Sequence, residues 1–294
     1  DAGNDAYALS KVDYKLLYSK WHHGIAMDRS DILYPLYFAF EWGTDQGKGD
    51  LTVDPEYTAA VKEALPLAKG VRFINDTVVE SFVDQWHYDE KEIADTATAW
   101  AGQPWEITAA TERLVTEGKV AYSTGQATAK NVPWLSLIVP SHAELILAEL
   151  QEMKSESFVP PPLVGIVSNI DAIERYDAAI RWIQSHRHAV ISNGPFYLDT
   201  YNPSGGIITI RAFRDPSYPF PQGYWSAYEN PELAIIEEVV TQKYLSPGEP
   251  LNARVNVTIG GKPSNDAIVD YFLSDTDGKV ILSGQAEPAG NRSN

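Results

Sequence analysis

Residues 20–34 hold a tight turn that leads directly into a helix. Gly24 allows the positive φ that a sharp reversal of the chain requires. Asp28 belongs to the residue types that cap helices, and an apolar helical pattern runs from it to about Trp42. The sequence therefore predicts a turn that Trp21 anchors in a core, followed by a helix that starts at Asp28.

The composition is that of an acidic, folded protein. Hydrophobic residues make up 44% of the 294 residues, enough to bury at least one core. The formal charge of −17 repels nucleic-acid phosphates and anionic membrane surfaces, so we expect neither as a partner. Cysteine is absent, which excludes disulfides, thiol nucleophiles and cysteine-based zinc sites.

The sequence shows no apolar run of the roughly 18 residues that a membrane span needs. It also shows no signal peptide. Because the first residue is Asp1 rather than Met, we interpret the chain as the C-terminal portion of a longer precursor.

Periodicity predicts helices and strands in alternation up to about residue 213. We expect strands at 12–19, 188–200 and 206–213, a β-hairpin at 71–84, and helices at 55–69, 90–122, 141–154 and 171–186. Mixed elements of this kind place the chain in the α+β class, with a mixed α/β composition.

The sequence changes character after residues 247–250, which are rich in proline and glycine. We expect a helix at about 231–243, then strands at 251–259, 267–273 and 279–282. The strands are typical of an immunoglobulin-like or fibronectin-type module, but such a sandwich needs about seven strands and roughly 100 residues. We therefore predict a mixed domain at 1–245 and an incomplete β module at 246–294.

Patterns that would commit the chain to catalysis or to a metal are incomplete. His22 and His23 are adjacent, and His186 and His188 stand apart from them, without the spacing of a zinc site. Residues 43–50 are similar to a phosphate loop, but three residues rather than four separate the glycines. We expect no metal, no cofactor and no catalysis. A hydrolase, the third hypothesis, would need ordered carboxylates that face one cleft.

The aromatic residues suggest binding. The chain has 8 Trp and 16 Tyr, whose side chains combine stacking area with a hydrogen-bond donor and therefore suit a cleft for sugars or peptides. The alternative for each of them is packing in the core. The candidate ligand-binding residues are Trp42, Trp100, Trp105, Trp134 and Trp225.

Three acceptor sequons for N-glycosylation occur, at Asn75, Asn256 and Asn291, whereas proline blocks the one at Asn202. Patterns this short also arise by chance. Used sequons would indicate an exported protein on the cell surface.

Residues 21–34 resemble the signature W/F-x-D-G-x-P-x-x-A-x-D-V-x-[FY] of extracellular solute-binding proteins of family 5, the peptide-binding components of ABC importers. His23 replaces the acid of that signature, and Ala26 replaces its proline. The hairpin at 71–82 is similar to the family's V-x-x-x-D-x-x-T-V-x-x-x-L strand pair.

Two further segments follow in the order that the family has. Residues 191–198 are similar to its G-T-G-P-Y-x-L, and residues 209–218 are similar to its strand ending in R-N-P-x-Y. The resemblance covers about residues 12–225, and the residues in these motifs are most similar to those of the archaeal branch of the family.

The resemblance implies one lobe of a periplasmic-binding-protein-like fold, with a long helical insert at about 106–188. It also implies a non-catalytic extracellular protein that captures peptides or oligosaccharides for the permease of an ABC importer, tethered to the cell surface through segments outside this chain. The family's second lobe does not follow residue 225. Either it lies upstream of Asp1, or the chain no longer binds as the family does.

The alternative is a structural cell-surface or filament subunit that has kept the lobe and lost transport. An unfinished β module presents unpaired strand edges, which favour pairing with another copy of the chain. This hypothesis predicts assembly by strand exchange, whereas solute capture predicts a monomer.

Overall fold

A computed structural model describes residues 7–45, 47–97, 100–244, 246 and 248–288 of the chain. The protein is α+β, as its sequence predicts, with helices and small antiparallel sheets. Its contacts divide it into two compact units. The first covers Asp1–Trp86 and Lys91–Pro219, and the second covers His87–Glu90 and Phe220–Asn294. The likeness of the first unit to a periplasmic-binding-protein lobe stays a prediction.

A three-stranded antiparallel sheet belongs to the first unit. Its strands are β1 (Ser10–Lys15), β2 (Ala68–Phe73) and β3 (Val78–Val83), in the order β1-β3-β2. Val79 and Val83 of β3 are buried, as expected for alternate residues on the inner face of a sheet. The predicted hairpin is therefore present, with its turn at residues 74–77.

Seven α-helices lie within the described residues up to residue 186, and four of them, the first, fourth, sixth and seventh, supply most of the buried core of the first unit. In chain order they are α1 (Ser30–Gly43), α2 (Ala59–Ala64), α3 (Glu90–Thr96), α4 (Trp105–Thr116), α5 (Thr124–Lys130), α6 (Pro140–Ser155) and α7 (Asn169–His186). Helix α6 packs against α4 and α7, and α1 packs against α4. Within the described residues, no helix is both long and apolar enough to cross a membrane.

Three predicted elements are shorter than their patterns suggested. The helix expected at 55–69 is reduced to α2 and a 3-10 turn, because β2 already begins at Ala68. The helix expected at 90–122 is divided into α3 and α4, and Pro104 stands immediately before α4 in an extended conformation. The strand expected at 188–200 starts only with β4 (Phe196–Asn202), which pairs with β5 (Ile207–Ala212).

The second unit contains short antiparallel strands. Strand β6 (Ala234–Thr241) pairs with β7 (Ala253–Ile259), β7 with β8 (Lys262–Pro263), and β9 (Asp270–Ser274) with β10 (Val280–Gln285). The helix predicted at 231–243 is wrong, because its β-branched residues form β6 instead. Since β6 pairs with β7, the second unit begins before the predicted boundary at residue 246. Its immunoglobulin-like character stays a prediction.

The turn before α1 has the geometry that the sequence predicts. Gly24 has a φ of 96°, and its N–H donates to the Trp21 carbonyl at 2.8 Å. Trp21 is fully buried. The helix begins at Ser30, whose N–H donates to Asp28 Oδ1 at 2.7 Å. In return, the Asp28 N–H donates to Asp31 Oδ2 at 3.0 Å, so both side chains cap the helix start.

Arg175 of α7 joins this turn to two helices inside the core. Its guanidinium makes two N–H···O contacts of 2.9 Å with the Asp31 carboxylate and one of 3.2 Å with Glu106 of α4. The Arg175 side chain is 4% exposed, and the side chains of Asp31 and Glu106 are fully buried. His23 Nε2 lies 2.7 Å from the other oxygen of Glu106. The turn, α4 and α7 therefore share one buried network of charges.

Burial and charge act in opposite directions on the two buried carboxylates. Burial opposes the ionisation of Glu106, but the charge of Arg175 and the hydrogen bond from His23 outweigh it and lower the pKa of Glu106. Burial raises the pKa of Asp31, and Arg175 acts against that rise. The bidentate contact with Arg175 is the geometry of an ionised carboxylate. Removing Arg175 would leave two buried acids without their counter-charge.

We expect Arg175→Met to lower the free energy of unfolding by about 3–5 kcal/mol, because breaking a buried ion pair leaves an uncompensated charge. Arg181→Met is the matched control, since Arg181 is an exposed arginine on the same helix. Its effect should stay within about 0.5 kcal/mol. Urea unfolding followed by circular dichroism measures both. Equal stability of the two variants would show that the network does not hold the unit together.

Candidate binding groove

A groove lies in the first unit between α1 and the β2–β3 hairpin. Its volume is about 1040 Å³, at the upper end of the roughly 300–1,000 Å³ of ligand pockets. Most of its wall is aliphatic or aromatic. Its apolar side chains include Leu33, Leu36, Tyr37, Phe40, Val71 and Phe82.

Helix α1 is apolar on two opposite faces. The inner face carries Ile32 and Trp42, which are buried in the core. The outer face carries Leu33, Leu36, Tyr37 and Phe40, at the i, i+3, i+4 and i+7 positions of one helical stripe. Tyr37 and Phe40 remain 41% and 44% exposed. One helix therefore supplies both a core surface and the wall of the groove.

The opposite wall is the β2–β3 hairpin. Among the described strands, β2 pairs only with β3, so it is an edge strand of the sheet. Gly70 of β2 lines the groove, at an irregularity in the pairing register. A Cβ atom added there would meet no atom within 4 Å. This position leaves open space where a side chain would project.

The charged groups beside the groove have partners of opposite sign. Arg72 Nε donates to Glu80 Oε2 at 2.6 Å, and Lys11 Nζ lies 3.0 Å from Glu80 Oε1. Hydrogen bonds from Lys11 and Arg72 lower the pKa of Glu80. Lys69 Nζ lies 3.4 Å from Asp84. The compensated charges leave apolar contact as the main interaction that the groove offers.

Tyr37 is a polar group within the apolar wall. Its hydroxyl donates to Glu41 Oε2 at 3.1 Å. Partial burial and the Glu41 charge raise the pKa of Tyr37, so the hydroxyl stays protonated at neutral pH. The ring is thus held by one hydrogen bond and presents its apolar surface to the groove.

Trp42 and Trp105, two of the predicted ligand-binding residues, lie in the core. Trp42 is 2% exposed, and its Nε1–H donates to Glu112 Oε1 at 2.9 Å. Trp105 is fully buried, and the guanidinium carbon of Arg175 lies 5.5 Å from the centre of its ring. Neither side chain lines the groove. Their burial corrects the expectation that they face a ligand: they pack the first unit.

The other three predicted tryptophans are exposed, and none of them lines the groove. The Trp134 indole N–H donates to the Tyr122 carbonyl at 3.0 Å. Trp225 belongs to the second unit, where its ring centre lies 4.9 Å from that of Tyr224. The binding role of Trp100, Trp134 and Trp225 stays a prediction.

The groove residues were not predicted from the sequence. The apolar stripe on the outer face of α1 is a signal, but a helix that is apolar on both faces is usually a buried one. The hairpin wall gave no such signal, because register and an open strand edge are not visible in the sequence alone.

His22 links the turn before α1 to a distant part of the chain. Its Nε2 lies 3.0 Å from the Gly194 carbonyl, and the Ser192 N–H donates to its Nδ1 at 3.3 Å. These partners fix a neutral imidazole that carries its proton on Nε2. Burial lowers the pKa of His22.

No protein-family model matches the chain, and no curated protein matches it significantly. In the described part of the chain, no group of three or more His, Asp or Glu side chains could hold a metal ion.

We expect His22 to make the first unit less stable in mild acid. Because burial lowers its pKa in the folded state, only the unfolded chain takes up the proton as the pH falls below the usual value of about 6.5. Stability that is present above this pH is lost as the pH falls toward the lowered pKa. His22→Gln should show a smaller loss between pH 8 and pH 5 in urea unfolding. Identical losses in wild type and variant would contradict this role.

Proposed function

We propose that the chain is a non-catalytic binding protein of the extracellular solute-binding type, and that the groove between α1 and the β2–β3 hairpin holds its ligand. The observation that supports this proposal is an apolar groove of about 1040 Å³ walled by helix α1 and an open strand edge. Such a surface costs free energy when it is left in water, and a ligand that covers it recovers that cost.

The lining favours peptides over oligosaccharides as ligands. Leu33, Leu36 and Phe40 offer contact area without hydrogen bonds, which matches the apolar side chains of a peptide. The free edge of β2 offers backbone donors and acceptors to a second extended chain. Sugars need a denser set of polar side chains, and the charged groups near the groove are already paired.

Delivery of the ligand to the permease of an ABC importer is the remaining part of the proposal. It draws on the resemblance of residues 21–34, 71–82 and 191–198 to family 5 solute-binding proteins. Location outside the cell draws on the same resemblance and on the sequons. The groove provides the capture step, and transport belongs to partner proteins.

We expect Gly70→Leu to weaken ligand binding at least tenfold, a change of about 1.4 kcal/mol. A Cβ atom at this position meets no atom within 4 Å, so the fold should persist. The ligand is first sought by thermal-shift screening of the wild type with tri- to hexapeptides rich in Leu, Val and Phe, and with malto- and cello-oligosaccharides. Calorimetry with the best peptide then compares the variants.

Gly102→Leu is the matched control. Gly102 is also a glycine of the first unit with open space at its Cβ position, but it does not line the groove. This variant should bind like the wild type. Failure of all the peptides to bind, or equal weakening by both substitutions, would reject the groove as the binding site.

A second candidate function, assembly of copies into a surface structure, is favoured by the β6–β7 ribbon. An irregularity after Ile236 shifts the register, so Ile236 pairs with Val257 and Val239 pairs with Val255. As a result, both β6 residues lie on the same face as these two valines. Ile236 and Val239 are 57% and 56% exposed. An isolated strand pair with one exposed apolar face is stabilised when another surface packs against that face.

If copies assemble through this face, wild type should form oligomers in light scattering and Val239→Glu should be monomeric. Val240→Glu is the matched control, because Val240 pairs with Arg254 on the opposite, more polar face. It should leave the oligomer intact. A monomeric wild type at every concentration tested would reject assembly and leave ligand capture as the function.

A further inference from the structure

The two sequons in the described part of the chain differ in their structural setting. Asn75, Asp76 and Thr77 form the exposed turn between β2 and β3. Asn256, Val257 and Thr258 lie in the middle of strand β7. The third sequon, at Asn291, lies outside the described residues. The sequence pattern treats these sites alike, whereas the structure separates the first two.

At the first sequon, the side-chain carbonyl of Asn75 organises the turn. Its Oδ1 accepts hydrogen bonds from the Thr77 N–H at 2.9 Å, from the Thr77 hydroxyl at 3.2 Å and from the Val78 N–H at 2.9 Å. The Asn75 Nδ2 group has no hydrogen-bond partner among the described residues. The nucleophilic atom of the sequon is therefore free, and the hydroxyl at the third position already contacts the same amide.

At the second sequon, both functional groups are engaged with other side chains. Asn256 Nδ2 donates to Glu238 Oε2 at 2.8 Å. The Thr258 hydroxyl donates to Glu237 Oε1 at 2.9 Å. Asn256 Nδ2 must separate from Glu238 before a transferase can take it up, and the Thr258 hydroxyl points to a carboxylate rather than to the asparagine. The ladder between β6 and β7 also holds the backbone of Asn256 extended.

We propose that Asn75 is an N-glycosylation site and that Asn256 stays unmodified. The donor is an oligosaccharide linked through phosphate to a polyprenol lipid. In the transfer, the bond between the sugar C1 and the phosphate oxygen breaks, and a bond from Asn75 Nδ2 to C1 forms. The lipid phosphate leaves with the electron pair, and the amide loses one proton to a base of the transferase.

The turn can accept a large substituent. The Asp76 side chain is 84% exposed, and the neighbouring residues of the turn are exposed as well. A glycan on Nδ2 leaves Oδ1 free to keep its three hydrogen bonds. The modification therefore adds a polar group to the surface without a cost to the turn.

The test is glycopeptide mapping of the full chain purified from the cells that naturally produce it. Trypsin releases Asn75 in a peptide of residues 73–91 and Asn256 in one of residues 255–279. We expect a sugar mass on the first peptide and none on the second. An unmodified 73–91 peptide would overturn the proposal, and sugar on residues 255–279 would overturn the choice between the two sites.

Two variants separate glycosylation from the structural role of the turn. Asn75→Asp keeps an oxygen acceptor for Thr77 and Val78 but removes the nucleophilic amide. It should fold with the thermal stability of the enzymatically deglycosylated wild type and carry no sugar on residues 73–91. Thr77→Ser keeps the hydroxyl and should retain the sugar. Sugar on residues 73–91 of Asn75→Asp would contradict attachment at Asn75.

Discussion

The buried contact of Arg175 with Asp31 and Glu106 is the interaction on which the first unit depends. Arg175 belongs to α7, Asp31 to the first turn of α1 and Glu106 to α4, so the contact joins three helices. A buried charge is stable only when a group of opposite charge lies in contact with it. The three elements must therefore keep these side chains together to avoid a large desolvation cost. His23 completes the set through Glu106. The turn before α1 therefore has a structural role.

The position of the groove depends on how these contacts place α1. Once the cap at Asp28 and Asp31 fixes the start of α1, the direction of the helix is set, and its inner face fills the core with Trp42. The outer face, with Tyr37 and Phe40, lines the groove opposite the hairpin.

Local patterns predicted the elements that depend on near neighbours. The sequence correctly predicted the turn at Gly24, the cap at Asp28, the hairpin at 71–84 and the strands β7, β9 and β10, because turn chemistry and alternation are local. The helix predicted at 231–243 was wrong. The hydrophobic pattern of this segment fits a helix or a strand, and its β-branched residues form a strand because they pair with β7. The many aromatic residues predicted a binding site, but a hydrophobic core requires aromatic residues as well. Only the burial seen in the structure distinguishes Trp42, which packs in the core, from the exposed Trp134.

By itself, the sequence determined the class of the protein, its acidic character, the turn into α1 and the positions of the sequons. These properties follow from composition and from contacts within a few residues. The tertiary structure decided that Arg175 pairs with Asp31 across 144 positions of the chain. It also decided that Gly70 faces open space and that Asn75 has a free amide where Asn256 does not. Such contacts depend on register, burial and long-range packing, which no local pattern specifies.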